Sequence, residues 1–214
     1  MHLTPQEQQQ INGLVAELEA ASGAQLIVAV IGKADAYPEI PWKAFALAAV
    51  TAALVVAPMK MGLVAASAGH TSAFGLLVVL AAGLVAALAA MFVPPLGRAL
   101  LDRARARMEV EQYAQAVFLE RGMFQTRHRT GILVLISLFE RDAVIVADSG
   151  VRRLVTGEQI EAIVERMRPF VAKGLAVEAV QGALTDLNRL LRGKFEQAAG
   201  ANELVDVLVE ERGS

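Results

Sequence analysis

Two long uninterrupted apolar segments dominate the hydropathy pattern of the chain. The first, Trp42–Met59, has Lys43 as its one charged residue, and the second, Ser72–Val93, has none. About 20 apolar residues cross the hydrocarbon core of a bilayer as a helix, so both segments are long enough to span it. The short connector predicts a hairpin, and Pro94-Pro95 ends the second span. A buried hairpin of a soluble protein is the alternative, but the second segment lacks the polar face that such a helix shows.

Shorter segments with helix or strand periodicity flank this hairpin on both sides. In front of it, "TPQE" from Thr4 to Glu7 is a typical helix start, and residues 25–31 form a β-rich apolar run. Behind it, the pattern predicts a helix at 110–117, strands at 131–139 and 143–148, and helices from 156 and 180. A strand is not stable alone, so residues 25–31 must join the later β-hairpin in one sheet.

This order of elements predicts one α/β domain that is discontinuous in sequence. We expect the domain to comprise residues 1–41 and 96–200, with a transmembrane helical hairpin at 42–95 and an irregular tail at 201–214. A chain of 214 residues is long enough for one medium domain with such an insertion.

The distribution of positive charge predicts the orientation of the hairpin. Its connector carries Lys60 alone, whereas arginines follow the second span closely, at Arg98, Arg103, Arg105 and Arg107. In a bacterial inner membrane, both termini and the α/β domain are therefore expected in the cytoplasm. The N-terminus does not have the pattern of a secretory signal, so an internal segment is expected to provide the anchor.

Composition and motifs exclude several classes of function. The chain has no cysteine, which excludes disulfides, thiol catalysis and cysteine-ligated metals. Its net charge of −2 does not indicate nucleic-acid binding. The three histidines are scattered, so neither a histidine metal site nor a Ser-His-Asp triad is expected. The motifs GxGxxG, GxxxxGK[ST] and HExxH do not occur.

The carboxylate of Asp148 is the main candidate for a site, because it directly follows a predicted strand. The simpler interpretation is that Asp148 caps the turn by accepting hydrogen bonds from backbone N–H groups. Asp35 and Glu39 follow the first strand and would join Asp148 if both strand ends face one edge of the sheet. Oxygen ligands from separate loops suit calcium or magnesium.

Charged residues around the predicted β-hairpin form two further candidates. Arg127 and Arg129 precede its first strand and could hold a phosphate or an anionic headgroup, although ion pairs within the domain are the simpler expectation. Glu140, Arg141 and Asp142 lie at the predicted tip, where a solvated turn with a local ion pair is expected.

Two stretches resemble the TPM domain family, and in particular its bacterial branch with a two-span hairpin inside the domain: "LTPQEQQQINGLVAELEAASGAQLIVAV" and "TRHRTGILVLISLFERDAVIVADSGV". The resemblance implies an α/β/α sandwich with a small sheet. Some members are described as weak acid phosphatases, and some bind calcium through acidic residues at the sheet edge. Carried over by position, Asp148 would be the strand-end carboxylate, with Asp35 as its neighbour. In this chain a predicted span follows Asp35 closely, whereas soluble members usually have several acidic residues there.

Two functions are therefore expected. The first is a membrane-anchored module, in contact with lipid, that binds other membrane proteins or assists their assembly and maintenance. The second is a divalent-metal-dependent phosphatase acting on phosphomonoesters, in which Asp148 is helped by Asp35 and Arg129. Small residues in the second span are compatible with a homo-oligomer. Two spans without a charge inside the membrane do not indicate a transporter.

Overall fold

The structure is a computed structural model that describes residues 4–63, 70–195 and 208–211. The elements follow one another in this order: α1 (Pro5–Ser22), β1 (Gln25–Ile31), α2 (Glu39–Leu63), α3 (His70–Phe92), α4 (Pro94–Ala99), α5 (Arg103–Glu120), a 3-10 turn (Met123–Gln125), β2 (Gly131–Ser137), β3 (Asp142–Ala147), α6 (Ser149–Arg152), α7 (Gly157–Ala172), α8 (Ala176–Leu191) and β4 (Leu208–Glu211). The chain divides into two units, one extending up to Asp35 and from Arg103 onward, the other covering Ala36–Asp102.

Local sequence determines where α1 begins and ends. The Thr4 hydroxyl accepts a hydrogen bond from the Glu7 N–H at 3.3 Å, and the Glu7 carboxylate accepts one from the Thr4 N–H at 2.7 Å. These bonds satisfy N–H groups that the first turn of a helix cannot pair. Gly23 ends the helix with a φ of +72°, a conformation that glycine adopts without a steric penalty. The predicted helix start is therefore observed.

The sheet has the strand order β3-β2-β1-β4. The central strands β1 and β2 are parallel, with Gln25 opposite Gly131 and Ile31 opposite Ser137. Strand β3 is antiparallel to β2, and β4 is parallel to β1. The run at residues 25–31 thus pairs with the later β-hairpin, as the sequence predicted.

Helices cover both faces of this sheet, because side chains alternate along each strand. In β2, Ile132, Val134 and Ile136 face a core shared with α1, α7 and α8. Leu133 and Leu135 face the opposite core, which they share with α5. This three-layer arrangement confirms the predicted α/β/α sandwich.

Two details of the α/β unit correct the sequence-based expectations. Within the tail expected to be irregular, Leu208–Glu211 forms strand β4, whose backbone groups pair with the open side of β1. Strand β2 ends at Ser137 rather than at Phe139, because the N–H groups of Leu138 and Phe139 turn to the carbonyls of Ile31 and Gly32, each at 3.0 Å.

The second unit is an antiparallel pair of apolar helices, α2 and α3, followed by the short α4. Glu39–Ala57 and Ala73–Phe92 are long and apolar enough to cross a membrane, and 11% and 17% of their apolar windows are buried. The helices approach closely at Gly83, where an added Cβ would lie 2.7 Å from the Phe45 ring. Pro94 begins α4 at its first turn, where its missing N–H costs nothing.

Candidate functional site

Asp148 lies between β3 and α6 and acts as the N-cap of that short helix. Its Oδ1 accepts a hydrogen bond from the Ser149 N–H at 2.6 Å, and its own N–H donates to the Gly131 carbonyl at 2.9 Å. The side chain is 10% exposed, and Arg129 Nη1 lies 4.0 Å from Oδ2. Within the described residues, Oδ2 has no hydrogen-bond partner and is buried. Asp148 therefore makes the turn-capping hydrogen bond that the sequence predicted through Oδ1. Its Oδ2 is left without a hydrogen bond among the described residues.

Two glycines explain why backbone segments meet so closely around Asp148. A Cβ at Gly150 would lie 2.3 Å from the His128 carbonyl oxygen and 2.6 Å from that of Arg129. A Cβ at Gly131 would lie 2.4 Å from the Met123 carbonyl oxygen. Arg129 itself has a φ of +56°. Gly150 therefore allows the loop before β2 to lie against the turn after β3, and Gly131 allows the start of β2 to lie against the 3-10 turn.

The structure does not bring Asp35 and Asp148 together. Because β1 and β2 are parallel and β3 is antiparallel to them, Asp35 follows the end of β1 at one edge of the sheet and Asp148 follows β3 at the opposite edge. The seven residues of β1 separate these edges by roughly 20 Å. A metal site shared by the two carboxylates is therefore wrong: the prediction assumed that both strand ends face one edge.

Asp35 instead belongs to a cluster of ion pairs with α5. Its Oδ2 lies 3.2 Å from Arg105 Nη2, and Arg105 Nε lies 3.4 Å from the Glu109 carboxylate. Among the described residues, no group of three or more His, Asp or Glu side chains is arranged to hold a metal ion. Glu39 begins α2, in the other unit.

The residues at the hairpin tip bind other parts of the domain rather than one another. Glu140 Oε1 accepts a hydrogen bond from the buried Ala34 N–H at 2.9 Å, and Oε2 accepts one from the buried Ser137 hydroxyl. Asp142 pairs with Arg168 of α7 at 3.3 Å. The expected local ion pair is therefore replaced by contacts that hold the turn to β1 and α7.

Of the two predicted anion-binding arginines, only Arg129 lies beside Asp148. The side chains of Arg127 and Arg129 are both exposed, and the Arg129 guanidinium carbon lies 6.0 Å from the centre of the Phe124 ring. Buried Thr126 holds this loop by accepting a hydrogen bond from the Thr130 N–H at 2.9 Å. Arg129 therefore contacts the carboxylate, which matches the ion pair that the sequence favoured over an anion site.

A groove of about 270 Å³ beside the outer edge of β3 contains residues that the sequence did not single out. Its floor is β3, and its walls are α5 and α7. Arg107 of α5 pairs with Glu161 of α7 at 2.6 Å, and Arg168 pairs with the same Glu161 at 3.2 Å. The arginine at position 152, four residues after Asp148, lies at one end of this groove. Only the tertiary fold brings these helices to one strand, so spacing in the sequence gave no signal.

The fold and these contacts define an α/β/α sandwich with a small mixed sheet, interrupted between its two central strands by an apolar helical hairpin. Residues 98–190 match the family model of the TPM domain. This match confirms the resemblance to the TPM domain for the part of the chain that follows the hairpin.

One solved structure supports the fold. The BA42 protein from the psychrophilic bacterium Bizionia argentinensis, determined by NMR, is similar with a TM-score of 0.52, at 13% identity, over 98% of this chain and 96% of that chain. No curated protein matches the sequence.

Proposed function

We propose that this protein is a membrane-anchored TPM module that binds other membrane proteins or assists their assembly and maintenance. The observation that carries the proposal is the apolar surface of the helical hairpin, which leaves large side chains such as Trp42, Leu77 and Leu84 more than half exposed. An apolar surface of this length is stable when lipid covers it.

The proposed anchor is a bacterial cytoplasmic membrane, with α2 and α3 as two spans and the TPM domain and both termini in the cytoplasm. The arginines that follow α3 support this orientation, since cytoplasmic flanks carry an excess of positive charge. A fluorescent reporter at the C-terminus should therefore be active, and an alkaline phosphatase reporter there inactive. The opposite pattern contradicts the orientation.

Anchoring itself is tested by placing charge on the exposed face of α3. Leu77→Lys combined with Leu84→Lys puts two ammonium groups into the proposed span, each at a cost of about 2.5–3.5 kcal/mol for insertion. The double variant should leave the membrane fraction, whereas Leu119→Lys, at an exposed leucine of α5, should remain there. A wild-type protein in the soluble fraction contradicts the proposal.

The role in assembly or maintenance is tested by the turnover of membrane proteins. Pulse-chase proteomics of cells without the protein should show faster loss of a subset of membrane proteins, restored by the wild type but not by the unanchored double variant. Unchanged half-lives in all strains contradict this role.

A divalent-metal-dependent phosphatase that uses calcium or magnesium is the second candidate, and one observation favours it: Asp148 Oδ2 is buried beside Arg129 without a hydrogen-bond partner in the described structure. Asp148→Asn keeps a good N-cap residue and removes the charge. It should abolish metal-dependent hydrolysis of a phosphomonoester, while Asp186→Asn, at an ion pair of α8 with Arg166, should not. Equal, negligible rates in all three proteins contradict this candidate.

A further inference from the structure

The outer edge of β3 has backbone groups that point away from the sheet. In an antiparallel pair, residues alternate between pairs that exchange backbone hydrogen bonds and pairs that do not. Because the Asp148 N–H donates to the opposite Gly131 carbonyl, the bonded positions of β3 are the even-numbered ones. The N–H and C=O of Ile145, opposite Val134, therefore point outward.

Side chains of the domain occupy both ends of this edge but not its centre. Asp142 Oδ1 accepts a hydrogen bond from the Ala143 N–H at 2.9 Å, and Arg152 Nε donates one to the Ala147 carbonyl at 2.6 Å. The outward N–H and C=O of Ile145, between them, have no partner in the parts of the chain that the structure describes. A donor and an acceptor without a partner among the described residues thus lie in the groove lining at Ile145, between the Ala143 N–H and the Ala147 carbonyl, which already have side-chain partners.

The groove above this edge has a volume of about 270 Å³ and contains one arginine that no acidic side chain of the described residues neutralises. Arg107 and Arg168 both pair with acidic side chains of α5 or α7. Arg152 uses Nε for its backbone contact, and among the described residues its guanidinium has no acidic partner. Ile160 and Val164 add apolar surface to the wall formed by α7. The remaining charge of the groove is therefore suited to an acidic side chain.

We propose that the β3 edge binds an extended peptide segment of a partner protein, which adds one strand beside Ile145 and places an acidic side chain on Arg152. Main-chain hydrogen bonds provide affinity in this mode of recognition, and side-chain contacts provide specificity. The pair between Arg107 and Glu161 joins the two walls across the groove; both side chains are exposed, so this pair opens at little cost. The inference deepens the proposed function, because it names the chemistry of the partner that such a module would bind.

Binding is tested with the full chain in a mild detergent and a blocked, fluorescent peptide of alternating threonine and valine with one central glutamate. The peptide should bind with an affinity that falls about tenfold in Arg152→Gln, since a charge-assisted hydrogen bond is lost. Arg153→Gln is the matched control, because Arg153 is exposed and does not line the groove. A peptide with lysine in place of glutamate should bind more weakly; equal binding of the two peptides overturns the assignment of Arg152.

Amide hydrogen exchange shows whether the peptide pairs with the strand. Saturating peptide should slow exchange at Ile145 at least tenfold and leave Val144 unchanged, because the Val144 N–H already pairs with β2. Unchanged exchange at Ile145 overturns the proposal, even if the peptide binds. Protection of Ile145 that grows with protein concentration in the absence of peptide also overturns it, in favour of a second copy of the chain. Fractionation is measured separately, so a soluble protein refutes the proposed function and a failure of peptide binding in a membrane-bound protein refutes this inference alone.

Discussion

The close approach of the two motif loops at Gly150 allows a quantitative prediction. In Gly150→Ala, the added methyl group would lie 2.3 Å from the His128 carbonyl oxygen and 2.6 Å from that of Arg129, both of them backbone atoms that cannot rotate away. Overpacking of this kind costs about 1–3 kcal/mol. Loss of the hydrogen bond from the Gly150 N–H to the Arg129 carbonyl, at 3.0 Å, adds about 1 kcal/mol. The lower entropy of the unfolded alanine chain offsets about 0.4–1 kcal/mol.

The net expectation is a loss of about 1–3.5 kcal/mol, which corresponds to a melting temperature lower by roughly 3–12 °C for a domain of this size. The assay is amide hydrogen exchange of β2 residues such as Val134 in the full chain, since their exchange reports on global unfolding of the α/β unit and not on the apolar helices. Gly182→Ala is the control, because a Cβ there meets no atom within 4 Å; it should leave stability unchanged or raise it. A Gly150→Ala protein as stable as the wild type would refute the packing explanation of the motif.

Three further perturbations follow from individual contacts. Burial raises the pKa of the Glu19 carboxyl group. Its contribution to stability is therefore fully present below the pKa of the unfolded chain and is lost as the pH rises through the higher pKa of the folded protein. In urea titrations, Glu19→Gln should be more stable than the wild type at pH 7 and equal to it at pH 3. Glu140→Ala should cost roughly 2–4 kcal/mol in the same titrations, since the buried Ala34 N–H and the buried Ser137 hydroxyl both lose their acceptor. A loss below about 0.5 kcal/mol would be inconsistent with this role. Gly83→Leu should force the Phe45 ring away and separate α2 from α3, measured as a longer distance between spin labels on the two helices; an unchanged distance would show that the ring adapts.

The sequence predicted the helices and strands well, because their signals are local. It predicted the site poorly, because the strand topology determines which side chains meet there. The continuous apolar run of β2, which is buried along its whole length, and the capping box at Thr4 both depend on neighbours in the chain, so the sequence predicted both. Whether Asp35 meets Asp148 depends on the direction in which β1 runs relative to β3, which no local pattern records. The contacts of Glu140 with Ala34 have the same origin, since the partners are 106 positions apart. The strand β4 was missed because it is only four residues long and its pairing with the distant β1 leaves no local pattern.

The position of the hairpin between β1 and β2 has a consequence for the order of synthesis and folding. Strand β1 is complete at Ile31, but its partner β2 begins only at Gly131 and both strands are buried in the finished sheet. At about 5–20 residues per second, a ribosome needs roughly 5–20 s to reach β2, a time in which an apolar strand is exposed to aggregation. The two apolar helices leave the ribosome within this interval. Delivery to the membrane during translation would therefore hold β1 near the membrane until β2 has been synthesised. The rate of sheet formation would then be limited by translation rather than by the pairing of distant strands.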